Sequence, residues 1–374
     1  MPTSPESDLP AQQGEAMPPS TAGQRLVHYE HSLNLAPLLN QMGISLLMTT
    51  YQAGKLVAVG VHQGALALSF HNFHRAMGLA VKADRLAVGA QEQIWFLRAA
   101  TDLGPRIEPP GRYDGCFLTR TSFYTGDIQG HELAWAGDKL WVANTLFSCL
   151  CTLDEKYSFV PRWRPRFISS LAAEDRCHLN GLALAPGDRG VLMPRYVTAL
   201  AESDSPQGWR PIKATAGCLI SVPDGEIVAR GLVMPHSPRV EGDRIWLLDS
   251  GRGRLVSVQA STGQVDMVAE LSGYTRGLAL HGSYAFVGLS KIRETSTFGG
   301  IPIAENRDKL TCGVTVVQRA TGQTVAFLEF QQGIDEIFDV QVLPGLRFPA
   351  VSGPFPALDG GKTIWTVPDQ LSGR

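Results

Sequence analysis

One phrase recurs along this 374-residue chain and restricts its fold more than any other feature. It is a small or apolar run, a turn carrying Gly or Asp, then a second run of β-forming residues. It reads GLAVKADRLAVGA after Met77, ELAWAGDKLWVAN after His131 and GLALAPGDRGVLM after Asn180. It returns as SPRVEGDRIWLLD after His236, GLALHGSYAFVGL after Arg276 and a degenerate DVQVLPG after Phe338. Aligning Leu79, Leu133, Leu182, Pro238, Leu278 and Val340 gives intervals of 54, 49, 56, 40 and 62 residues. These lie near or above the roughly 40–50 residues of a propeller blade. The excess falls in Pro/Gly-rich stretches at 104–115 and 295–307, which read as loop insertions.

Further short β runs follow each hairpin, such as those starting at Arg254 and Gln264, or at Gly313 and Gln323. Four short strands per unit, separated by turn residues, are the signature of a blade. The 39 Gly and 24 Pro supply the turns, and no long segment keeps a helical period of 3.6. The expected fold is therefore all-β, a six-bladed β-propeller, with seven blades as the alternative. Three N-terminal strands, starting at Ile44, Lys55 and Ala65, lack an inner partner, and the C-terminal strand at 338–343 lacks outer ones. Pairing them closes the ring and removes its open edges. Residues 1–25 read as a disordered tail and 26–374 as the single propeller domain.

Several function classes are excluded. The net charge is −2, no basic run occurs, and nucleic acid is not an expected partner. No apolar stretch has the ~20 residues of a membrane helix. The N-terminus lacks the basic and apolar regions of a signal peptide, so a cytoplasmic location is expected. No phosphate-cradling Gly loop precedes a helix, which argues against a nucleotide cofactor. Six cysteines without a CxxC pair read as small buried hydrophobes.

In a propeller the inner strands surround one axis, so residues at their starts converge on one mouth. Two residues before each aligned position stand Met77, His131, Asn180, His236, Arg276 and Phe338. Two residues earlier stand Arg75, Gln129, His178, Met234, Tyr274 and Glu336, with His74, Glu132 and Asp339 one step away. Four of the nine histidines, His74, His131, His178 and His236, thus precede consecutive inner strands, although not in one register. Imidazoles from several sides of one axis suit a divalent transition metal such as Fe, Zn, Cu, Ni or Mn. A polar ligand bound without metal, or imidazoles capping strands, are the alternatives. Arg276, Asn180 and Arg75 are the expected substrate-binding residues, and Glu336, Asp339 and His74 the expected acid–base groups. Arg276 is equally able to pair with Glu336 or Asp339 inside the channel. Arg239 is expected to point elsewhere, and Arg293 and Glu294 to lie at the surface.

The phrases HELAW at His131, CHLNGLA at Cys177, MPHSPR at Met234, RGLAL at Arg276 and IFDVQVLPG at Ile337 together resemble a bacterial family of conserved hypothetical proteins, a domain of unknown function. The resemblance runs from about residue 38 to 354 and implies the fold and a shared site without naming a reaction. The architecture is also similar to gluconolactonase and NHL-type propellers. The lactonases hold calcium through carboxylate and amide oxygens, whereas histidines fill the matching positions here. The resulting expectation is a metal-dependent enzyme with a histidine-rich site in the channel, acting by hydrolytic or oxygenase chemistry on a small polar or peptide substrate. The alternative is a non-catalytic propeller that binds a protein or glycan.

Overall fold

The computed structural model describes residues 11–16, 26–187, 190–292 and 297–367. Six sheets, each with a four-stranded antiparallel blade, stand around one axis, and the seven-blade alternative is not realised. Blade 1 joins the C-terminal strand Asp339–Pro344 to Ile44–Thr50, Lys55–His62 and Ala65–Asn72. Asp339 pairs with Thr49 and Pro344 with Ile44, so the expected closure by both ends of the domain is present. Blades 2 to 5 begin with inner strands Leu79–Lys82, Gly130–Ala136, Leu179–Pro186 and Pro235–Glu241, and blade 6 with Tyr274–His281. Each inner strand is followed outward by three strands in chain order.

Two outer additions escaped the sequence reading. Val27–Ser32 pairs with Thr324–Gln332 and extends blade 6, and Pro349–Ser352 runs parallel to Gly115–Tyr124 and extends blade 2. Both cover edges that would otherwise offer unpaired backbone groups. Of the segment expected to be a tail, residues 11–16 form a strand antiparallel to Val27–Ser32, and the rest of 1–25 lies outside the described residues.

The core lies between blades. Where blade 6 meets blade 1, Phe286, Val314, Val316 and Phe330 pack on Leu46, Met48, Val57 and Val59. The two-turn helix Leu35–Met42 caps this layer with Leu35 and Leu39. Full burial of each such side chain contributes about 1.5–3 kcal/mol. All six cysteines are buried and unpaired, as their apolar reading requires.

The inner ring alternates in a way that positions the channel. At the position just before the aligned residue, blades 1, 3 and 5 carry Asp339, Glu132 and Ser237, while blades 2, 4 and 6 carry Gly78, Gly181 and Gly277. Each polar side chain accepts a backbone N–H from the next blade: Asp339 from Leu79 (2.9 Å), Glu132 from Leu182 (3.4 Å) and Ser237 from Gly277 (3.2 Å). Each glycine lets the following blade approach. A Cβ on Gly78 would stand 2.7 Å from the carbonyl oxygen of His131, and one on Gly181 would stand 2.4 Å from Pro238. The six blades are thus three two-blade units joined by alternating hydrogen bonds and backbone contacts.

Candidate functional site at the histidine mouth

The mouth is built by a backbone device repeated in four consecutive blades. Four residues before the aligned position, Arg75, Gln129, His178 and Met234 adopt φ of 49°, 53°, 51° and 50°. Non-glycine residues enter this left-handed region at a cost, and such outliers gather at functional sites. In blades 3 and 5 the turn directs a carbonyl at the imidazole two residues on. His131 Nδ1 lies 3.0 Å from Gln129 O, and His236 Nδ1 lies 2.8 Å from Met234 O. A hydroxyl from the next strand approaches the same nitrogen, Thr145 Oγ1 at 2.7 Å and Ser250 Oγ at 3.1 Å.

These contacts determine the tautomers. A carbonyl only accepts, and the single Thr145 hydroxyl proton is donated to Leu179 O at 2.6 Å. His131 and His236 therefore carry their proton on Nδ1 and keep a lone pair on Nε2. His178 is oriented by another route. Its Nδ1 lies 3.0 Å from both oxygens of the buried Asp175, which also accepts from Trp209 Nε1 at 3.0 Å. The His131 and His178 rings meet edge to face with centroids 4.8 Å apart.

Burial, then the charges of His178 and Arg276, push His131 well below the ordinary imidazole range. Burial, then Arg276 and His178, do the same to His236. Both rings are neutral at physiological pH. Their effect on stability has a definite sign. Above about pH 6.5 these two rings are neutral in folded and unfolded chains alike. Below it the unfolded chain takes up protons that the folded chain resists, so each ring lowers stability by up to about 1.4 kcal/mol per pH unit. Urea titrations from pH 7 to 5 should show this acid loss, and His131→Gln with His236→Gln should flatten it.

Arg276 completes the mouth from blade 6. Its guanidinium lies 3.5 Å from the centre of the Phe338 ring, and its Nη1 lies 3.5 Å from Glu336. Phe338 also meets the His131 ring at 5.3 Å and the Tyr51 ring at 6.0 Å. Arg75 continues this series at the exposed rim, over the Tyr51 ring at 5.6 Å. Tyr274 packs edge-on against His236 and hydrogen-bonds Ser250, and burial raises its phenol.

The remaining expected residues are placed differently. His74 is exposed and bonds Gln91 at 2.8 Å, apart from the other three imidazoles. Asn180 is buried, accepting from Thr198 Oγ1 at 2.7 Å. Asp339 turns away from the histidines toward Arg239, with an N–O separation of 3.9 Å. Arg239, expected to point elsewhere, enters the channel and also pairs with Glu132. Arg293 and Glu294 lie outside the described residues. Asp175 and Trp209 were missed, because their loops carry no repeat. The pattern of a polar residue three before His178 was the only available signal.

Among the described residues no three His, Cys, Asp or Glu side chains are grouped so as to hold one ion as they stand. Among the same residues no helix is long and apolar enough to cross a membrane.

Comparison with known proteins agrees with this architecture. A chain of the crystal structure of a nidogen/laminin complex superposes with a TM-score of 0.50 at 11% identity, covering 81% of this chain and 99% of that one. A protein of unknown function from Bacteroides caccae gives a TM-score of 0.47 at 10% identity, covering 80% and 98%. No curated protein matches the sequence. A family profile described as "Domain of unknown function (DUF4915)" matches residues 33–352, and these include every residue of the mouth. With most of its length inside that profile, this propeller belongs to the DUF4915 family.

Proposed function

We propose that the mouth is a metal-assisted enzyme site for a small polar substrate. One observation carries this reading: His131 and His236 each have Nδ1–H engaged by a carbonyl, which leaves Nε2 as a lone-pair donor, and a carboxylate at Nδ1 orients the His178 ring beside them. Metal-ligating histidines are oriented in this manner, and their neutral form is the one that binds. His131 and His178 already touch, and His236 is close enough for a charge on His178 to disfavour its own. The ion suited to nitrogen ligands is a divalent transition metal, Fe, Zn, Cu, Ni or Mn. It would supply a Lewis acid or an activated water. Glu336 stands beside Arg276, where its carboxyl can take up or return a proton.

Elemental analysis of protein purified without added metal tests this. The wild type should hold near-stoichiometric transition metal, and His131→Ala and His236→Ala should each lose it while keeping the β circular dichroism spectrum. Substoichiometric metal in the wild type that is not restored by adding any of the five ions would overturn the reading.

A further inference from the structure

Arg276 has an unusual balance of burial and satisfaction. Its side chain is 12% exposed, and burial disfavours its charged form. Yet none of its N–H groups finds a hydrogen-bond acceptor among the described residues, since Glu336 stops at 3.5 Å and Phe338 offers only its ring face. Stacking on an aromatic ring leaves the edge of a guanidinium, where all five donors point, available. A planar fork with free donors matches a carboxylate in two parallel hydrogen bonds. Arg75 adds positive charge at the rim without an acidic partner among the described residues.

The histidines demand the opposite chemistry. With Nδ1–H engaged by backbone carbonyls, His131 and His236 present Nε2 lone pairs, which accept hydrogen bonds and repel a second acceptor. A ligand that satisfies both walls carries a carboxylate at one end and a neutral O–H donor at the other. We propose that the mouth takes a short hydroxy acid, its carboxylate on Arg276 and its hydroxyl donating to a histidine Nε2. This rests on the mouth being the ligand site, as the proposed function has it, but it does not require a metal.

Calorimetric titration of metal-stripped protein separates the two ideas. The probes are glycolate, lactate and gluconate, with propionate lacking the hydroxyl and lactamide lacking the charge. Lactate or another of the hydroxy acids should bind at least about tenfold more tightly than propionate and lactamide, the scale of one lost charged hydrogen bond. Arg276→Gln should abolish this binding, and Arg276→Lys should restore part of it. Should Arg276→Gln fail to fold, His236→Gln serves instead, with a reduced preference for lactate over propionate. Equal binding of propionate or lactamide, unchanged binding in the folded variant, or no binding of any hydroxy acid overturns the proposal. Loss of metal binding alone overturns only the metal-assisted reading.

Discussion

Gly277→Ala is expected to lose more than about 4 kcal/mol of stability, a large share of the roughly 5–15 kcal/mol that holds a domain folded. Two costs coincide at this position. Gly277 has φ of +81°, which an alanine adopts only with strain. A Cβ there would also stand 2.5 Å from Val340 N and 2.7 Å from the Asp339 carbonyl carbon, backbone atoms of blade 1 that cannot rotate away. Gly282→Ala separates the two costs, since Gly282 has φ of +55° with nothing within 4 Å of its Cβ direction. It should lose only about 1–2 kcal/mol. Denaturant titration of the two variants checks this, and equal losses would refute the steric part.

The second large effect concerns the charges that meet inside the channel. Glu132, Arg239 and Asp339 come from blades 3, 5 and 1, and two carboxylates share one guanidinium. Burial outweighs the attraction of Arg239, pushing Glu132 up to about 7 and raising Asp339 as well. Arg239→Met should cost about 3–5 kcal/mol, because it leaves two buried carboxylates without a cation. The loss should deepen as pH rises from 6 to 8, since the folded chain then holds protons that the unfolded chain has released. Glu132→Gln removes the excess charge and should cost about 1 kcal/mol or less. A larger loss for Glu132→Gln than for Arg239→Met in thermal unfolding would show that the triad is not short of a cation.

Much of the fold was legible in the sequence because a propeller repeats its instruction. The inner hairpins share a phrase, and the unmatched strands at the two ends could only satisfy their edges together. The strands at 27–32 and 349–352 were not legible, because an outer edge strand is selected by what it covers rather than by its own pattern. The site was legible in part for the same reason. His131 and His236 occupy equivalent positions and share one tautomer-setting motif. Blade 1 places Phe338 at that position, and the third imidazole comes from the strained turn of blade 4, which explains the uneven register of the histidines. Asp175, Trp209 and the role of Arg239 depend on which loops meet in space, and no spacing encodes that.

The pairing of Asp339 with Thr49 has a consequence for how the chain reaches its native state. Three strands of blade 1 are synthesised before any other blade, and their inner edge has no partner until nearly the whole domain has emerged. Blades 2 to 5 can each form from local contacts, but the circle is completed by a contact between strands about 290 residues apart in sequence. Such contacts slow folding, because the loop they close is long. During that interval the Ile44–Thr50 edge is a template for any strand nearby, including the same edge of another nascent chain. Dilute refolding or cotranslational shielding should therefore govern yield more than the intrinsic stability of any blade.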